Sequence, residues 1–90
     1  MKIQEKNLRD ALNRFFYEMR DRLAKKESEG YTGWDGAYPR AKLIAEIKRD
    51  VKLCEDGKAT QKTALDIANR IFMCWYDFPM NGTKKKAGAN

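Results

Sequence analysis

Apolar residues recur at spacings of three and four in three separate stretches of the chain. In the first, Leu8, Leu12, Phe15, Phe16, Met19 and Leu23 fall on one face of a helix, because residues three and four apart lie one above another. Arg9, Asp10, Asn13, Arg14, Asp21 and Lys25 lie mainly outside that face. The pattern predicts a helix over residues 4–26, with Gly30 after "KKESE" as its stop signal. A second helix is predicted over 39–55. Pro39 suits the first helical position, where the N–H it lacks has no partner, and Leu43, Ile44, Ile47, Val51 and Cys54 form the buried stripe. After the glycine turn of "EDGKAT", Thr60 is an N-cap candidate for a third helix running to about Phe78, just before Pro79. The expected buried set of this helix is Ala64, Ile67, Ala68, Ile71, Phe72, Trp75 and Phe78.

The third helix is apolar over more than one face. Leu65, Met73, Cys74 and Tyr76 widen its arc beyond the roughly 100° of a helix with one wet side. Such a helix lies in the middle of the bundle or is covered by another subunit, so a homo-oligomer through the third helix is one expectation. The fold class is all-α: a three-helix bundle with an aromatic, Gly-rich loop between helices one and two and a disordered basic C-terminal tail. Residues 1–81 form the single helical domain, and "NGTKKKAGAN" supplies the flexible tail over 82–90.

Composition narrows the class further. A 90-residue chain supports one core, and 42% apolar with 36% charged residues fits a soluble globular protein. No apolar run approaches the ~18 residues of a membrane span, and "MKIQEKNLRD" lacks the apolar stretch of a signal peptide. The expected location is the cytoplasm, that of the host if the protein is phage-encoded, with no membrane partner. Half of the net charge of +6 comes from Lys84, Lys85 and Lys86. The rest fits nucleic acid, an acidic protein partner or plain solubility. If the second and third helices pair antiparallel, Cys54 and Cys74 sit roughly 18 Å apart at ~1.5 Å rise per residue, so both thiols are expected free. With no histidine and no CxxC pair, one chain cannot assemble a zinc site or a Cys-His nucleophile.

Three groups of residues are candidates for chemistry. Glu46 and Asp50 stand one turn apart on the shoulder of the second helix's stripe. Carboxylates so placed either hold a divalent cation such as Mg²⁺ or lean out to meet Arg49, Arg40 or an arginine of helix one. Lys42, Lys48, Arg49 and Lys52 occupy the outer arc of the same helix, with Arg40 at its start, where phosphate would find exposed N–H groups and a partial positive charge. The usual meaning of such an arc is a solvated face. The loop "GYTGWDGAYPR" places Tyr31, Trp34 and Tyr38 among three glycines. Its rings either stack on a base while Arg40 holds phosphate, or Trp34 plugs the open end of the bundle by reaching Phe16, Met19 or Leu23, with the tyrosines' polar tips in water. The loop has no phosphate-cradling glycine motif.

The segment "AKLIAEIKRDVKLCEDGKATQKTALDIANRIFMCW" resembles the core of the MazG-like all-α nucleoside triphosphate pyrophosphohydrolases, and together with "GYTGW" it looks like short helical proteins of tailed bacteriophages. The likeness spans about residues 30–76 and includes "DIAN" from Asp66 to Asn69. It implies a Mg²⁺ site of Glu46, Asp50 and Asp66. Two departures weaken that implication: the second helix offers only Glu46 and Asp50 where the family has a cluster of glutamates, and Thr63 stands where the family's "ExxD" places its glutamate. No evident base remains to activate water. The resemblance with this degraded acidic motif therefore implies a non-enzymatic phage-type accessory protein that needs no cofactor and acts by binding a host component, inhibition being one form. The expected contact face is Tyr31, Trp34, Asp35, Tyr38, Arg40 and Lys42. The alternatives are a Mg²⁺-dependent nucleotide-binding or pyrophosphohydrolase-like protein, and a small basic nucleic-acid-binding module.

Overall fold

A computed structural model describes residues 1–79. The expected tail and the domain boundary at residue 81 lie outside them. Three helices make an all-α fold: α1 (Lys6–Ser28), α2 (Arg40–Glu55) and α3 (Gln61–Asp77), each within two residues of its predicted limits. Local chemistry explains the ends. The Glu5 carboxylate accepts from the amides of Asn7 and Leu8 at the start of α1. Thr60 and Thr63 exchange side-chain and backbone hydrogen bonds as a capping box on α3.

The third helix is central, as its wide apolar arc suggests: it packs on both α1 and α2, which do not touch each other. Polar contacts mark each junction. Toward α1, Asp66 forms a two-pronged ion pair with Arg22, whose second prong spans 3.3 Å, and the Asn69 amide donates to the Met19 carbonyl at 3.4 Å. Toward α2, Arg70 donates Nη1 to Asp50 at 2.6 Å and Nε to Glu46 at 3.2 Å, while Asp77 pairs with Arg40.

The expected buried faces need correction. Among the described residues the buried ones are Leu43 and Cys74, which are apolar, and Asp50 and Asn69, which are polar. On α1, Met19 and Leu23 are half-buried against α3, but Leu8, Leu12, Phe15 and Phe16 are exposed because α2 does not come across to meet them. On α2, Ile44, Val51 and Cys54 are exposed, and the inward face is Leu43, Glu46, Ile47, Asp50 and Leu53. Ala64, Ile71 and Trp75 of α3 and Phe78 at its C-cap face outward, contrary to the expected set, whereas Ile67, Ala68 and Phe72 are half-buried. The charged residues that pair with α1 and α2 turn the opposite side of the helix inward. Both cysteines are free, Cys54 exposed and Cys74 buried, as their separation implies.

The Arg70 junction is the most enclosed ion pair between α2 and α3. The Asp50 side chain is 8% exposed and that of Arg70 23%. Removing one member of a pair this enclosed strands the other charge, at a cost of about 3 kcal/mol. Arg70→Met is expected to lower unfolding free energy by about that amount in urea titration, and adding Glu46→Gln and Asp50→Asn to recover most of it. An Arg70→Met protein as stable as the parent would show that the pair does not hold the helices together.

Candidate functional site

The aromatic connection folds onto α3 rather than α1. Gly33 adopts φ +91° and its carbonyl accepts from the Tyr38 amide at 3.0 Å, closing the loop; a Cβ there would sit 3.2 Å from that nitrogen. Gly36, at φ +109°, brings the backbone so near α3 that a Cβ would stand 3.1 Å from Asp77 Oδ1. The chain between them carries Trp34 over Phe72, the rings nearly parallel with centroids 6.1 Å apart, and against Tyr76 at 4.8 Å. Trp34 thus packs on α3, and the expected contacts with Phe16, Met19 and Leu23 are replaced by these. The physical reason is the loop's tether: Gly36 lies against Asp77, which holds the connection at the C-terminal end of α3.

The six expected contact residues do not act alike. Tyr31 is exposed, with the Lys26 ammonium 4.7 Å from its ring. Trp34 remains 44% exposed, and Asp35 is exposed beside it. Tyr38 is half-buried with the Lys42 ammonium 5.5 Å from its ring, and its hydroxyl donates to Glu46 Oε2 at 2.9 Å. Its polar tip is therefore tied to α2 rather than free in water. Arg40 spans Asp77 and the Phe78 ring, its guanidinium carbon 5.4 Å from the ring centroid. Its planar head is engaged, so it does not stand ready for phosphate. Lys42, Lys48, Arg49 and Lys52 form the exposed outer arc.

The three carboxylates expected around Mg²⁺ are each engaged by an arginine. Glu46 and Asp50 point inward, where Arg70 engages both and Arg49 Nε approaches Asp50 at 3.4 Å; Asp66 turns to α1 and Arg22. The partner of the first two is thus an arginine of α3, not Arg40 or an arginine of helix one. Among the described residues no three Asp, Glu or Cys side chains are grouped to hold a metal ion. A guanidinium between two carboxylates supplies the cation that would otherwise be sought from solution.

Two features escaped the sequence reading. One is a run of rings, Trp34, Phe72 and Trp75, in which Phe72 and Trp75 stand 6.0 Å apart at 27°. The other is an open recess of about 220 Å³ where the end of α1 meets the start of α3, lined by Arg22, Lys25, Lys26, Glu29 and Lys62. The "KK" of α1 was visible in sequence, but nothing there signals that Lys62 comes alongside. No helix is long and apolar enough to cross a membrane among the described residues. No protein-family model, curated protein or solved structure matches the chain.

The Tyr38 phenol is raised above its ordinary 10.0, first because donating to Glu46 favours the neutral form, then because of desolvation and the nearby carboxylate charge. A folded-state value above the unfolded one gives stability that is present below pH ~10 and lost as pH rises through the folded value. Absorbance titration of the folded protein is expected to show a tyrosine ionising later than the rest, and Tyr38→Phe to remove it. An unchanged titration in Tyr38→Phe would rule out the Glu46 contact as its cause.

Proposed function

We propose that this protein is non-catalytic and acts by contact, as an accessory protein of tailed-phage type that binds an acidic, partly apolar surface of a host protein. One observation carries this reading: the carboxylates a pyrophosphohydrolase-like site would need are each engaged by an arginine of a neighbouring helix, while large rings stand in the open. The phage-type assignment itself rests on the resemblance of residues 30–76. The proposed contact face is Tyr31, Trp34, Asp35, Tyr38, Arg40 and Lys42, flanked by the basic arc of α2. Rings with cations over their faces and positive net charge favour an acidic partner that also offers apolar recesses. The loop rings are held in place by neighbours of their own, Tyr31 by Lys26, Trp34 by Phe72 and Tyr38 by Lys42. The reading includes self-association through α3.

A second reading has its own support. The recess brings Lys25, Lys26 and Lys62 together against Glu29, with Arg22 paired to Asp66, and this excess of positive charge suits a phosphate-bearing ligand such as a nucleotide or nucleic acid.

The deciding assays are few. With nucleoside triphosphates and Mg²⁺, pyrophosphate release is expected to stay at the buffer baseline; release that Asp66→Ala abolishes would defeat the non-catalytic reading. A host protein retained by the parent and lost from a folded Trp34→Ala, Tyr31→Ala variant is the expected support for the contact face. Oligonucleotide binding that falls steeply with salt, survives those two substitutions and is lost in Lys25→Ala, Lys62→Ala would transfer the function to the basic recess.

A further inference from the structure

The third helix is inside out. At 100° per residue its four charged residues, Lys62, Asp66, Arg70 and Asp77, fall within about 80° of one another. Three of them engage the other helices through ion pairs. The loop covers a neighbouring strip through Phe72 and Tyr76. What remains in the open is the opposite strip: Ala64, Ile71, Trp75 and Phe78 are exposed, with Ala68 half-buried at its edge. Ile71 is 50%, Trp75 66% and Phe78 47% exposed, and no charged residue of α3 lies on this side; Arg40 of α2 reaches its end, with the guanidinium over the Phe78 ring. A solvated helix face ordinarily carries the charges; an uncharged apolar one has the composition of an interface centre.

The strip also has an internal order. Ala64, Ala68, Ile71, Trp75 and Phe78 follow one another at steps of four, three, four and three, the spacing that keeps a seam straight along a partner helix. Size is distributed unevenly along it, with small residues toward the N-terminal end, large rings toward the C-terminal end and Ile71 at the midpoint. A second α3 laid antiparallel about a two-fold axis at Ile71 sets Phe78 of the second copy over Ala64, and Trp75 of the second copy over Ala68. A parallel copy would stack ring on ring and leave the alanines facing a gap. The same strip thus supplies both the projections and the hollows, as a two-fold contact requires.

We infer that this strip is occupied by a second copy of the same chain, α3 antiparallel to α3, with Ile71 on the axis. The inference rests on the reading of α3 as a self-association surface and adds the partner segment, direction and register. The exposed parts of Ile71, Trp75 and Phe78 make up a few hundred Å² per copy, below the ~800 Å² per partner of a standard interface. The dimer is therefore a weak, reversible one that assembles as concentration rises.

Sedimentation equilibrium of the full chain over increasing concentration, with thiols reduced, tests the association. The weight-average mass is expected to climb from the monomer value toward twice it. Ile71→Asp, which sets two carboxylates against each other on the axis, is expected to hold the mass at monomer with far-ultraviolet circular dichroism unchanged. If that variant loses helicity, Trp75→Ala, expected to weaken the dimer at least tenfold, takes its place. Register is read by disulfide formation under mild oxidation in a Cys54→Ser background. Ile71→Cys is expected to cross-link, whereas Ala64→Cys is not, since two copies of residue 64 lie about 21 Å apart in this arrangement. A monomer at every concentration would overturn both self-association and its geometry. A dimer that cross-links through residue 64, or does not cross-link through residue 71, would overturn the register alone. Neither result bears on hydrolysis or on host binding.

Discussion

The junction of α2 and α3 is organised by one arginine held between two carboxylates, cation and anions each requiring the other's charge. Arg70 projects from α3 into the face of α2 that would otherwise present Glu46 and Asp50 to an apolar neighbour, and Asp50 is nearly sealed from water. Neither side of this contact survives alone, because a buried charge without its partner costs several kcal/mol. Arg49 approaches Asp50 from the water side and Tyr38 donates to the far oxygen of Glu46, so both carboxylates are satisfied from more than one direction. The Tyr38 bond links the aromatic connection to the same cluster, while Gly36 and Arg40 meet Asp77 at the end of α3. The geometry of the loop is thereby slaved to an ion pair some distance along the chain.

Charge placement also explains why so much apolar surface stays outside. With Asp66, Arg70 and Asp77 turned toward the other helices, the remaining sides of α3 must look elsewhere. A helix cannot turn its charges and its full apolar arc to the same neighbours when the two lie on opposite sides. The ring run of Trp34, Phe72 and Trp75 covers part of the difference. On α1 the exposure has another origin: α2 never reaches that helix, so its N-terminal apolar residues have nothing opposite them.

The helices themselves were legible from the chain. Spacings of three and four, Pro39, the glycine turn at residue 57 and the Thr60 cap place all three within two residues of where they form. Which face each helix buries was not legible, because the periodicity argument assumes that the apolar stripe turns inward. The corrective signal was present at Lys62, Asp66 and Arg70, three charges at i, i+4 and i+8 on a helix otherwise without charge before Asp77. Read as a contiguous charged strip, they mark the side that meets Arg22, Glu46 and Asp50. Of the six expected contact residues, exposure of Tyr31 and Asp35 follows from a polar, glycine-rich loop. The engagement of Arg40 and Tyr38 does not, since their partners Asp77 and Glu46 lie 37 and 8 residues away.

The same ion pairs bear on what the acidic residues can do. A divalent ion held by carboxylates from facing helices needs oxygens that converge without a cation already among them. Here Arg70 stands where two of those oxygens converge, and Arg22 draws the third toward α1. A metal entering between Glu46 and Asp50 would have to displace the guanidinium that already engages both carboxylates. Structural arginine and catalytic metal are alternatives at such a position, and the geometry of α3 is built around the arginine.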